Sequence, residues 1–146
     1  MTIDTLVKNT ADTIREIEIC RTLPVLEEDK GNILAKLEEE IAKGSLAIVV
    51  GWNGFTPRIG GATAPKELPL GSVTIVVQIY ERPVINRANV ASPHLLTLAQ
   101  EIAKALDGVA SEDMDDTLHL KKISPVSEIG EDVITCDVEF ETKATL

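Results

Sequence analysis

The sequence is poor in the residues and segments that build covalent frameworks, metal centres or membrane anchors. Its 146 residues include two cysteines, two histidines, one tryptophan, one tyrosine and two phenylalanines. Cys20 and Cys136 are too few for a disulfide framework, and they lack the spacing of metal ligands. No apolar run approaches the roughly 20 residues that span a bilayer, and the N-terminus lacks the regions of a signal peptide. These absences predict a protein of a reducing cytosol that does not contact membranes.

Motifs for catalysis and for cofactor binding are missing as well. His94 and His119 have no partner at ligand spacing, and the acidic run 111–116 lacks the glycine and the final glutamate of a calcium loop. The glycines between residues 51 and 61 do not have the spacing of a phosphate-binding or dinucleotide-binding loop. The sequence therefore predicts no catalytic residue, no metal and no cofactor. A small enzyme remains an alternative, but it would need converging polar groups that no motif supplies.

Length and charge bound the remaining possibilities. A chain of 146 residues that is 44% hydrophobic is long enough for an ordinary core and predicts a single domain over residues 1–146. Its net charge of −10 opposes binding to nucleic acid. The middle of the chain is mildly basic and both ends are acidic. This distribution could bring copies together head to tail, or it could simply keep the protein soluble.

Hydrophobic periodicity predicts an α+β fold. Helical spacing and capping residues favour helices over residues 4–18 (with Asp4 as the N-cap), 29–43 and 92–107. Extended apolar or alternating runs favour strands over 46–50, 73–80, 118–123 and 133–142. This order predicts a mainly antiparallel sheet of about four strands, with the helices packed on one face.

The last predicted strand alternates most clearly. Ile134, Cys136, Val138 and Phe140 share one face, which predicts the core. The opposite face carries Thr135, Asp137, Glu139 and Glu141, and it faces either water or a partner.

A long segment rich in glycine and proline separates the first two predicted strands. Residues 54–69 are interpreted as a flexible loop, because structureless loops of this length are usually functional or disordered. Trp52, Phe55 and Arg58 stand at its start, and tryptophan and arginine are common anchors of interfaces. Alternatively, Trp52 caps the end of the sheet and Phe55 lies beneath the loop.

A polar segment follows the second predicted strand. Pro83 lacks the backbone donor that a central strand needs, so the strand ends or turns there. Glu81, Arg82, Asn86 and Arg87 are either ordinary loop residues or an interface cluster in which the arginines form bidentate contacts.

This segment resembles a known family. The chain is similar here to minor tail proteins of long-tailed bacteriophages, and in particular to tail terminator and tail-completion proteins. The similarity lies in the order of elements: a strand, the pattern Glu-x-Pro-x-x-Asn-Arg at residues 81–87, an amphipathic helix and a final pair of strands. The resemblance covers about residues 72–142. It implies a non-enzymatic α+β protomer that forms a ring, commonly a hexamer, at the head-proximal end of the tail tube. There the ring would stop tube polymerisation and join the tail to the head.

The same resemblance implies the partners and the location. The partners would be other copies of the chain, the tail tube and head-completion proteins, and the protein would reside in the virion tail and, during assembly, in the host cytoplasm. It also implies that the long loop is mobile in the free protomer and orders on assembly.

A ring requires two different patches of one protomer to meet. The predicted contact joins Arg82 or Arg87 to Asp137, Glu139 and Glu141 of a neighbouring copy. A stand-alone protein-binding module, which would not self-assemble, is the alternative.

Overall fold

The computed structural model of the chain describes residues 2–28, 33–57, 70–86, 93–110 and 116–145. Its helices are α1 (Ile3–Arg15), α2 (Ile33–Lys43), the short α3 (Pro83–Asn86) and α4 (Leu95–Leu106), with a 3-10 turn at Glu18–Cys20. Its strands are β1 (Val25–Glu27), β2 (Leu46–Pro57), β3 (Leu70–Glu81), β4 (His119–Ile123), β5 (Ser127–Gly130) and β6 (Val133–Thr145). The mixed helix and sheet composition agrees with the predicted class.

Helix α1 forms because an apolar stripe recurs along it at helical spacing. Leu6, Val7 and Ile14 are buried on this stripe. The expected N-cap, Asp4, lies inside the first turn, where a carboxylate is favoured by the helix dipole. Thr2 is the actual cap, and its hydroxyl accepts a hydrogen bond from the Thr5 amide at 3.2 Å.

The sheet has six strands rather than about four. Its order is β1-β2-β3-β6-β4, and β5 also pairs with β6. All pairings are antiparallel except the one between β1 and β2. The two strands that the sequence did not predict, β1 and β5, have three and four residues, which is too short for an alternating pattern to be recognised.

One face of the sheet, called here the core face, carries the hydrophobic core. Helices α1 and α4 pack on this face, and every second residue of the long strands contributes to it. On β6 the predicted alternation is confirmed, because Cys136, Val138 and Phe140 are buried there and Ile134 packs against them. The other face, called the second face, carries Asp137, Glu139 and Glu141.

Helix α2 corrects the prediction that the helices share one face. Ile33, Leu34 and Leu37 of α2 lie beside Val49 and Val76, which belong to the second face. None of the residues of α2 is fully buried. An amphipathic stripe shows that a helix has an apolar side, but it does not show on which face of a sheet that side packs.

The long loop was also predicted with the wrong starting point. Gly54–Pro57 belongs to β2, which continues past a register shift between Trp52 and Phe55. Gly54 has φ of 101°, a conformation that glycine adopts without strain and that accommodates a bulge. The rest of the predicted loop, residues 58–69, lies outside the described residues.

Candidate functional site

Eight of the ten residues predicted to form an assembly interface lie in the described parts of the chain, and the structure places them at different positions. Arg58 and Arg87 lie outside the described residues. Trp52 stands at the bulge of β2 with 42% of its surface exposed. Phe55 packs partly against the core; the alternative that it lies beneath the loop concerns residues 58–69, which are outside the described residues.

Glu81 and Asn86 form a buried network inside the protomer. Their exposed fractions are 4% and 1%. One carboxylate oxygen of Glu81 accepts hydrogen bonds from the Leu95 amide at 2.7 Å and from the Asn86 side-chain amide at 3.1 Å. Glu81 therefore caps the N-terminus of α4, where His94 provides no side-chain cap.

Asn86 ties three segments together. Its amide nitrogen also donates to the Pro93 carbonyl at 3.0 Å, and its oxygen accepts from the Ser45 hydroxyl at 2.9 Å. These bonds link the start of β2, the end of β3 and the approach to α4. Either side chain could contact a neighbouring protomer only if this network opened.

Arg82 is engaged on the surface of its own protomer. Its Nε lies 3.9 Å from Asp132 Oδ2, and the other oxygen of Asp132 accepts from the Val84 amide at 3.1 Å. Asp132 also lines a hollow with Glu128 and Glu131. Arg82 therefore already has an acidic neighbour, Asp132, in its own protomer, which weakens it as the basic half of an intermolecular contact.

Asp137, Glu139 and Glu141 lie together on the second face, as the alternation predicted. Asp137 pairs in register with Gln78, and Glu139 pairs with Val76. Burial raises the pKa of the Asp137 carboxyl, and the negative charge of Glu139 raises it further. Burial and the charge of Asp137 likewise raise the pKa of Tyr80. Asp137 and Glu139 are thus a like-charged pair in a partly dehydrated site.

A groove of about 390 Å³ lies between helix α2 and this acidic pair. Apolar side chains form the α2 wall and part of the floor: Ile33, Leu34, Leu37, Val49 and Val76. Polar side chains complete it: Glu28, Asn53, Gln78, Tyr80, Asp137 and Glu139, with Gly51 and Trp52 beside them. A groove with an apolar floor and carboxylates at its rim suits a segment that has both apolar and basic side chains.

Glu28 joins the groove through a contact that the sequence did not indicate. Its Oε2 accepts from the Trp52 amide at 3.3 Å, just past the end of the β1–β2 pairing. A Cβ atom at Gly51 would collide with this carboxylate. The absence of a side chain at residue 51 therefore allows Glu28 to lie over β2 at the edge of the groove.

The histidines and cysteines do not form a reactive centre in the described structure. His119 Nε2 lies 3.2 Å from Asp116 Oδ2 at the surface, and His94 is exposed. Burial raises the pKa of the Cys20 thiol to about 11 and also raises that of Cys136. Both thiols therefore stay protonated and act as packing groups.

The described ranges contain neither a metal-binding cluster nor a membrane-spanning helix. No group of three or more His, Cys, Asp or Glu side chains is arranged there to hold a metal ion. No described helix combines the length and the apolar character needed to cross a membrane.

Comparison with known proteins adds no assignment. No protein-family model matches the sequence, and no curated protein does. The groove is therefore interpreted from its own geometry and charge.

The raised pKa of Asp137 gives a prediction with a defined sign. A carboxyl with a raised pKa in the folded state is destabilising when ionised, so stability falls as pH rises from the unfolded pKa through the folded one. We expect Asp137→Asn to raise the free energy of unfolding at pH 7 by less than about 1 kcal/mol, since the pair is partly solvated. The gain should disappear near pH 3, where both proteins are neutral at this position. Urea denaturation at the two pH values measures this, and a less stable variant at pH 7 would contradict it.

Proposed function

We propose that the protein is a non-enzymatic structural protein of a bacteriophage or prophage tail. It assembles as a ring, commonly a hexamer, at the head-proximal end of the tail tube, terminates the tube and joins it to the head. Its partners are other copies of the chain, the tube protein and head-completion proteins. It resides in the virion tail after assembly in the host cytoplasm.

The half-covered second face is the observation that supports this proposal most. Helix α2 covers the β1–β2 side, and the groove extends from α2 to Asp137 and Glu139 on β6. Leu34 of α2 is 70% exposed beside the groove. Apolar surface left open next to polar residues is typical of protein–protein interaction sites.

The sequence pattern at residues 81–87 supports the proposal in a different way. Glu81 and Asn86, two of its defining residues, bind each other and anchor the start of α4. The pattern thus has a structural role in this protomer, because it fixes the end of β3 to the start of α4. The described members of the predicted interface that remain on the surface are Trp52, Arg82, Asp137, Glu139 and Glu141.

Molar mass in solution tests the proposal. Multi-angle light scattering over a wide range of protein concentrations should detect a closed species of about six protomers. The sample should also be measured with isolated tail tubes, because a tube can act as a template. A protein that stays monomeric in both conditions would contradict the ring, and it would favour a stand-alone binding module that uses the same groove.

A further inference from the structure

The groove on the second face has an unbalanced charge. Glu28, Asp137 and Glu139 line it, and no basic side chain from the described residues does. Neither Asp137 nor Glu139 forms an ion pair within the described structure. Burial raises the pKa of Asp137 and the charge of Glu139 raises it further, so a ligand that supplied two cations here would offset the repulsion between the two carboxylates.

Strand β4 has the complementary composition. Its sequence, His119-Leu-Lys-Lys-Ile123, contains two lysines and no acid, in a chain with a net charge of −10. All five residues are exposed, and Leu120 and Ile123 keep 39% and 40% of their surface in solvent. In the described part of the chain, Lys121 and Lys122 form no ion pair. Strand β4 therefore carries Lys122 on the second face, opposite Glu139, and Leu120 and Ile123 on the core face, opposite Phe140 and Val138.

Within the described structure, β4 leaves the acidic groups of its own groove without an ion pair. The strand is fixed to β6 by the register His119 with Glu141 through Ile123 with Val138. Lys122 pairs in register with Glu139, yet the two charged groups remain more than 4.0 Å apart in the described structure. Among the described strands β4 lies at an edge of the sheet, and the register places Lys122 on the second face and Leu120 and Ile123 on the core face.

We propose that the β4 edge of one copy docks in the groove of a second copy. Lys121 and Lys122 then meet Asp137, Glu139 and Glu28. This inference rests on the proposed self-assembly and specifies its contact. It replaces Arg82, which is held by Asp132, with β4 as the basic partner. Because the two patches differ, repeated contacts of this kind can close a ring.

Reciprocal charge reversal tests the contact. The edge variant is Lys121→Glu with Lys122→Glu, and the groove variant is Asp137→Lys with Glu139→Lys. Each variant alone places like charges together, so self-association should weaken at least about tenfold in light scattering. When the two variants are mixed in equal amounts, the acidic edge of the edge variant meets the basic groove of the groove variant. The basic edge of the groove variant likewise meets the acidic groove of the edge variant. Association should therefore return in the mixture, and also in a single chain with all four substitutions.

A matched control changes the net charge equally at a distant surface. Lys8→Glu with Lys104→Glu reverses two exposed lysines on α1 and α4, and it should leave association unchanged. Thermal unfolding confirms that each variant is folded. If the groove variant does not fold, Glu28→Lys with Glu139→Lys replaces it, because Glu28 is exposed.

The outcomes separate this contact from the proposed function. Rings that form equally well in the wild type and the edge variant would overturn the contact and leave the ring function standing. If the wild type forms only dimers, and these dimers are lost in the edge variant and restored by mixing, the contact would be supported and the ring contradicted. Failure of mixing to restore association of two folded variants would overturn the contact.

Discussion

We expect Glu81→Ala to lower the free energy of unfolding by about 2–4 kcal/mol, because a buried charge-assisted acceptor is removed from two donors. The Leu95 amide belongs to the first turn of α4 and is buried, so it would have no water to replace the carboxylate. The Asn86 amide would lose a partner in the same network. Urea denaturation with intrinsic tryptophan fluorescence measures the loss.

Glu81→Gln is the matched control for that substitution. Its carbonyl oxygen can still accept from Leu95 and Asn86 with nearly the same shape, so the loss should be smaller, about 1 kcal/mol. Equal losses of stability in Glu81→Gln and Glu81→Ala would show that the charge of Glu81 matters more than its geometry as an acceptor. No loss in Ala would contradict the capping role of Glu81.

A larger effect is expected for Phe140→Ala, which should destabilise the protein by about 3–5 kcal/mol. Phe140 is fully buried on the core face of β6, where it pairs in register with Ile75 on β3 and Leu120 on β4. Its truncation leaves a cavity that the neighbouring strands β3 and β4 cannot easily close. The midpoint of urea denaturation should fall accordingly.

The neighbouring residue provides the control for Phe140. Glu139→Ala changes the opposite face of the same strand, so its effect on stability should stay within about 0.5 kcal/mol. Its effect should instead be on self-association, because Glu139 lines the groove. A large loss of stability in Glu139→Ala, or a small one in Phe140→Ala, would contradict the assignment of the two faces.

The sequence could predict the parts of the fold that depend on a repeating pattern. The alternation from Ile134 to Phe140 and the stripe of α4 each extend over several residues, so the burial of one side follows directly. The left-handed stop at Gly108, with φ of 82°, was predictable because glycine adopts this conformation without strain.

The remaining features depend on contacts between distant residues. Glu81 was predicted as a loop or interface residue, because a strand end followed by proline does not show that its carboxylate caps a helix 14 residues later. The acidic side of the groove was predictable from β6. The apolar side was not, because it requires α2 to lie on the second face and Glu28 to reach over Gly51.

The position of β6 has a consequence for how the chain folds. Strand β6 follows all the other described elements in chain order, yet it lies in the sheet between β3 and β4. Pairing over such separations loses loop-closure entropy before contacts compensate for it, which slows folding. Until β6 inserts, β3 presents an open apolar edge on which other chains can pair. The yield of folded protein during rapid synthesis is therefore set by the rate of this insertion, in competition with aggregation, more than by the stability of the finished sheet.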